Sequence, residues 1–223
     1  MTVSTEPEAA APAAAPVNGA TQTNRRRVHV LWLAVILVFG LAAGGLGGYQ
    51  LTQPRNPADD SAEAGFLRDM STHHAQAVEM SMIAHANSDN TAIVTLAGDI
   101  GLTQQQQIGY MQAWLRAWGL SPTGTQPTMA WMPDSAGAVV NGLMPGMATP
   151  DQIAKLRAAK GTDLDVQYLT LMRAHHLGGI HMAQEIVSMS KNEDVTWLAQ
   201  TMVRGQQAEI NVIDEMLKQL QTK

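Results

Sequence analysis

The chain has 223 residues, a formal net charge of −5 and no cysteine. The acidic balance gives no support to a nucleic-acid partner. The missing cysteines exclude a disulfide framework and any thiolate metal site. Aromatic residues make up only 4% of the chain, whereas methionine occurs 14 times.

In chain order, residues 1–24 are rich in Ala, Pro, Thr and Glu and hold almost no large apolar side chain. Such a segment cannot bury enough surface to offset the entropy of ordering. Residues 1–27 are therefore expected to form a disordered, cytoplasmic N-terminus. Arg25, Arg26 and Arg27 close it. Residues 30–48 then run without a charge. As a helix they extend about 28 Å, close to a hydrocarbon core of about 30 Å. The segment 28–50 is expected to be a single transmembrane anchor, with the arginines on the cytoplasmic side and the C-terminal part outside the cytoplasm. A signal segment cleaved on secretion is the alternative, because the small residues Ala42 to Gly48 suit a peptidase. The long stretch ahead of the arginines favours the anchor. The arginine run matches a twin-arginine export signal poorly.

Residues 51–60, with Pro54 and Pro57, read as a linker. The remainder, 61–223, is expected to be one globular domain. Counted from Asp59, it carries 17 acidic and 10 basic residues, a net charge of −7. An internal repeat organises it. At an offset of 102 residues, Phe66 falls on Tyr168, Met70 on Met172, His73 and His74 on His175 and His176, and Met80 on Met182. The same ungapped offset pairs Leu96 with Leu198, Gln104 with Gln206, Ile108 with Ile210 and Leu115 with Leu217.

Each repeat, 61–118 and 162–221, reads as a helical hairpin. Asp60 and Glu63 suggest a capping box for a helix over 61–86. A second helix is expected over 91–118, stopped by Gly119. Thr162 is a candidate cap for a helix over 163–190, and the last helix is expected over 194–221. Between the halves lies a loop rich in Gly, Pro and Met, with Met129, Met132, Met144 and Met147. Thr149, Pro150 and Asp151 then start a short helix ending by Gly161. No period-2 strand pattern of useful length occurs. The expected fold is all-α, a four-helix bundle of two repeated hairpins preceded by a single transmembrane helix.

Successive helical residues turn by about 100°. With Met172 at zero, His176 lies about 40° to one side and His175 about 60° to the other. Gly179, Met182 and Ala183 join this stripe, while His181 falls on the opposite face. In the first half Met70, His73, His74, Ala77, Met80 and Ser81 form the matching inward stripe, and His85 is expected near the same face. Residues at i, i+3 and i+4 can reach a common point. Imidazole suits copper, zinc, iron and nickel, and thioether narrows the choice to soft Cu(I). The candidate metal ligands are His73, His74, His175, His176, Met70, Met80, Met172 and Met182. Inward Met at helical spacing is otherwise core filler, and buried His otherwise hydrogen-bonds across a bundle, for instance to Glu209 or Gln206. The loop methionines stand equally between extra Cu(I) ligands and filler.

These residues resemble a bacterial family, domain of unknown function 305. Its pattern is matched by MRAHHLGGIHMA from Met172, LAQTMVRGQQAEI from Leu198, MSTHHAQAVEMS from Met70 and MPGM from Met144. The first half departs from it, with Gln107 where Glu209 stands in the second. The resemblance implies a ferritin-like helical fold, frequent export or membrane anchoring, and copper handling in some members.

The expected function is extracytoplasmic copper buffering, chaperoning or resistance, without enzymatic activity. Cu(I) is the favoured ion and another transition metal the alternative. A homo-oligomer or a copper-transport partner is compatible with this role. One rival is a ferritin-like di-metal oxidase, but no Glu-x-x-His occurs, and such sites need inward carboxylates. The other rival is a metal-free structural or partner-binding bundle.

Overall fold

The structure, a computed structural model, describes residues 1–2, 20–52, 56–133, 135 and 137–222. They form α1 (Ala20–Thr52), α2 (Ala62–Asn87), α3 (Thr91–Ala117), α4 (Pro150–Ala158), α5 (Gly161–Met189) and α6 (Glu193–Gln221). The only β pairing among the described residues is an isolated bridge between Val140 and Leu143. The fold is all-α, as expected. The described residues up to 52 and those from 56 onward make two units.

In the first unit, α1 starts at Ala20, ahead of the three arginines. Residues 20–27, expected to lack structure, are therefore helical; the rest of that segment lies largely outside the described residues. Alanine and glutamine in this stretch are good helix formers, and an established helix extends at low cost. Within α1, residues 29–49 have a mean hydropathy of 2.3 and are long and apolar enough to cross a membrane.

The second unit holds two hairpins, α2–α3 and α5–α6, joined where α2 packs on α5. Ser88 Oγ donates to Asp165 Oδ1 at 2.6 Å, and Ser190 Oγ donates to Glu63 Oε1 at 2.7 Å. These bonds link the end of α2 to the start of α5 and the reverse, so the two helices run antiparallel.

The caps differ in part from expectation. Ser61, not Asp60, is the N-cap of α2, and its hydroxyl accepts from Ala64 N at 3.2 Å. Glu63 is drawn away to Ser190 rather than closing a capping box. Asn90 and Asn192 cap α3 and α6 by accepting from Ala92 N and Val195 N. Glu193 and Asp194 in the first turn of α6 complement the positive end of its dipole. Helix α5 begins at Gly161, with φ +56°, and its N-cap Lys160 makes no side-chain capping bond, its Nζ donating instead to Asn87 Oδ1 at 2.9 Å. Thr162 lies inside the first turn instead of capping it. Gly119, φ +74°, ends the α3 hairpin in the left-handed region that glycine enters without penalty. Thr149 and Gln152 form the capping box of α4.

The core separates into two clusters. One contains Phe66, Leu67, Met70, Met111, Met182, Ile186 and Met202. The other contains Met80, Ile83, Ile93, Leu164, Leu169, Met172 and Ile213. Met129, Met132 and Met144 of the long loop are buried in the first cluster, and Met147 packs on its edge. Full burial of such a side chain is worth about 1.5–3 kcal/mol, so these loop methionines behave as core. Asp69 anchors the loop: its Oδ2 accepts from Met129 N at 2.8 Å and from Trp131 Nε1 at 2.9 Å. Burial pushes the Asp69 carboxyl up from its ordinary value.

Candidate metal centre

Where α2 crosses α5, His73, His74, His175 and His176 are all fully buried. The sequence stripe places them there: each pair follows an inward methionine by three and four residues, so both rings point into the bundle. His181 is exposed, as the same wheel requires, and so is His85, contrary to expectation. His85 Nδ1 lies 2.9 Å from the carbonyl oxygen of Val94 on α3, which holds the ring at the surface near the hairpin turn.

Every buried ring directs Nε2 to an oxygen. His73 Nε2 lies 3.0 Å from the Pro145 carbonyl oxygen, and His175 Nε2 lies 2.9 Å from that of His73. His74 Nε2 meets Gln107 Oε1 at 2.7 Å, and His176 Nε2 meets Glu209 Oε2 at 2.6 Å. A carbonyl or carboxylate oxygen can only accept, so Nε2 carries the hydrogen in each ring. In a neutral ring Nδ1 then bears the lone pair. All four Nδ1 atoms are buried without a hydrogen-bond partner among the described residues.

Burial strongly disfavours charging these rings. It lowers the pKa of His73 to about 4 and, with the help of neighbouring His73, that of His74 to about 3. His175 is pushed well below the ordinary histidine value by burial and by the other three rings. These three imidazoles are neutral at pH 7.

Met70 and Met182 belong to the core cluster that contains the loop methionines, and Met80 and Met172 belong to the other. Along each helix the histidine pair falls between the two methionines. Among the described residues, no three His, Asp or Glu side chains are grouped as a ready ligand set.

Several supporting residues escape a ligand search. The segment Met144 to Ala148 lies over the α5 histidine pair. A Cβ at Gly178 would overlap the Pro145 carbonyl, and one at Gly146, φ +79°, would overlap the Ala174 carbonyl. Only glycine permits this approach. Gln76 fastens the segment: its Nε2 donates to the Ala148 carbonyl oxygen at 2.9 Å, and its Oε1 accepts from Ala148 N at 2.7 Å. The Pro145 carbonyl carries no residue-type signal in the sequence, but the Gly178–Gly179 pair does. Gln104 and Gln206, 102 positions apart, are buried, and neither amide atom of either has a partner among the described residues. A Cβ at Gly179 would come within 2.5 Å of Gln206 Oε1, so the small residue serves close helix approach. Tyr168 places its hydroxyl 3.3 Å from Ser81 Oγ, and burial pushes its pKa up.

The family model for domain of unknown function DUF305 matches residues 63–217. A DUF305 protein of Streptomyces coelicolor is 42% identical, with a TM-score of 0.67, over 73% of this chain and 96% of its own. A DUF305 fragment from Deinococcus radiodurans is 28% identical, with a TM-score of 0.60, over 75% of this chain and 99% of its own. CopM in its Cu(I)-bound form shares the fold at 19% identity, with a TM-score of 0.54, over 71% of this chain and 96% of its own. No curated protein matches the chain. With the family model spanning the whole bundle from α2 to near the end of α6, this chain belongs to the DUF305 family.

Proposed function

We propose that the chain binds a soft transition-metal ion, copper first, outside the cytoplasm, held to the membrane by α1. The observation that carries this reading is the set of four buried imidazoles whose Nδ1 atoms have no hydrogen-bond partner among the described residues. An unpartnered buried acceptor costs about 1–3 kcal/mol, and four at one helix crossing call for an occupant. Hydrogen bonds from the other ring nitrogen to carbonyl or carboxylate oxygens fix ring orientation and raise basicity, as outer partners of metal-ligating histidines do. His73, His74, His175 and His176 are the proposed imidazole donors, and Met70, Met80, Met172 and Met182 the soft donors on either side. Neutral imidazole and thioether suit Cu(I). CopM, with the same fold, has been obtained with Cu(I), Cu(II) and silver. A cargo role, as buffer, chaperone or resistance factor, fits better than redox catalysis. Glu79 pairs with Arg157 at the surface, and Glu209 is the carboxylate that touches the histidine layer.

A metal-free bundle is the second reading, favoured by the oxygen partner that each Nε2 already has. Anaerobic titration of the full chain in detergent with Cu(I) against a calibrated chelator separates the two, with Zn(II) and Fe(II) in parallel. Tight Cu(I) binding that disappears when all four paired histidines are replaced by Ala, with helical circular dichroism retained, supports the metal reading. Binding indifferent to those substitutions, or absent altogether, leaves the histidines as structural groups.

A further inference from the structure

The tryptophans of the second unit gather at one end of it. Helix α2 begins there, at Ala62. The Arg68 Nε bond to the Ser121 carbonyl oxygen brings the end of α3 to the same level, and the Ser190 bond to Glu63 brings the end of α5 and the start of α6. Trp114 and Trp118 stand at the end of α3, and Trp197 stands in the first two turns of α6. Trp131 covers Gly65, where a Cβ would come within 2.7 Å of its ring. The opposite end, at Asn87, Asp89, Asn90, Lys160 and Asp163, carries polar side chains instead.

Part of this aromatic set faces solvent. Tyr110 is 40% exposed and Trp197 54%, and Met189, at the end of α5, is 38% exposed. Trp114 and Trp118 are partly buried and back onto the core. Tyr110 stacks on Trp114 at 6.1 Å and meets Trp197 edge-on at 6.4 Å between centroids, so one patch of rings crosses from α3 to α6. The other exposed large apolar side chains of this unit include Met82, Leu102, Leu177 and Val212, and none of them is aromatic.

We propose that this aromatic patch seats the domain on the surface of the membrane that α1 crosses. The proposal rests on the anchor reading above. Connectivity selects the occupant. The apolar span ends at Tyr49 and α2 starts at Ala62. Residues 50–61 between them reach at most about 40 Å, and they enter the domain at its aromatic end. Such a tether makes docking intramolecular, at an effective concentration on the order of mM, so a small patch is enough. Tryptophan and tyrosine settle at the headgroup level, where the ring body is in apolar surroundings and its polar atom stays wet. The exposed charges at this end are mixed, with Arg116 and Lys191 against Glu193 and Asp194. Docking therefore requires no anionic lipid.

The test uses the full chain in phosphatidylcholine nanodiscs, one copy in each, with Trp32→Phe as background to silence the tryptophan of α1. Lipid brominated high on the acyl chain is expected to quench the domain's emission, and lipid brominated at the chain end to quench it much less. Trp197→Phe, a conservative change at an exposed site, is expected to remove most of that quenching. Trp197→Glu with Tyr110→Glu is expected to abolish it and to shift the remaining emission to the red, with helical circular dichroism and flotation on vesicles retained. Added phosphatidylglycerol or salt is expected to change none of these readings, because the contact is not a charge attraction. Bromine quenching that is absent from a floating chain, or unchanged in the double-glutamate protein, overturns docking and leaves the anchor in place. Shielding of Trp197 from aqueous acrylamide only when a disc holds two copies assigns the patch to a second copy, and equally overturns docking. A chain that does not float on vesicles overturns the anchor reading, and the docking with it.

Discussion

The imidazoles of His73 and His175 stack across the α2–α5 contact, centroids 3.7 Å apart and planes at 33°, while His175 Nε2 donates to the His73 carbonyl oxygen. The two residues stand 102 positions apart, the offset at which the histidine pairs of the two hairpins coincide, so the α2–α5 contact brings a histidine onto its counterpart. Two neutral rings can hold this contact. Two charged ones cannot, because like charges at such a distance in a low-dielectric core repel strongly. The stack thus ties stability to the protonation of the layer.

Acid should unfold the domain early. The folded pKa values of His73 and His74, about 4 and about 3, lie below the unfolded value of 6.5, and His175 is displaced in the same direction. The unfolded chain therefore binds protons first as pH falls. Stability is fully present above pH 6.5 and declines below it, by about 1.4 kcal/mol per pH unit for each of these histidines until its folded pKa is reached. Melting temperature between pH 7.5 and 4.5 should fall steeply, and a chain with His73, His74 and His175 replaced by Gln should show a much flatter profile.

The glycines under the Pro145 segment should tolerate no side chain. Gly178→Ala forces a methyl group into the Pro145 carbonyl, and Gly146→Ala adds a residue at φ +79° against the Ala174 carbonyl. Each should cost about 2–3 kcal/mol, combining overpacking with backbone strain. Gly205→Ala is the control. Nothing lies within 4 Å of a Cβ there, and an α6 interior position should gain about 1 kcal/mol in helix propensity. Urea denaturation of the three variants reads both signs.

Gln76 should act as the latch of the segment over the layer. Gln76→Ala removes a donor to the Ala148 carbonyl and an acceptor from the Ala148 amide. The expected loss is about 1–3 kcal/mol, with faster hydrogen exchange at the Ala148 amide. Unchanged exchange there means that Gly146 and Pro145 hold the segment without help.

The methionines should separate packing from metal affinity. Leu is close to isosteric with Met, so Met70→Leu with Met182→Leu should cost less than about 1.5 kcal/mol per site. The same holds for Met80→Leu with Met172→Leu. Each pair replaced should lower Cu(I) affinity while leaving Zn(II) affinity unchanged, because only the soft ion uses thioether. Equal losses for both ions point to a packing effect instead.

Much of this protein was legible in its sequence. The 102-residue offset and the 3.6-residue period identify four amphipathic helices and set both histidine pairs inward, because helical geometry fixes which residues share a face. Helix ends were less accurate. Glu63 caps no helix of its own because Ser190, 127 residues away, claims its carboxylate. The exposure of His85 was equally hidden, since the Val94 carbonyl that holds it belongs to the next helix.

The sequence by itself determined the residue types of the site and the face on which they lie. Only the tertiary structure decided which ring nitrogen is occupied. That depends on acceptors at Pro145, Gln107, Glu209 and the His73 carbonyl, brought in by other segments. It also divided the methionines between two core clusters. Local periodicity constrains orientation about one helix axis, whereas burial, ring tautomer and access depend on how separate helices pack.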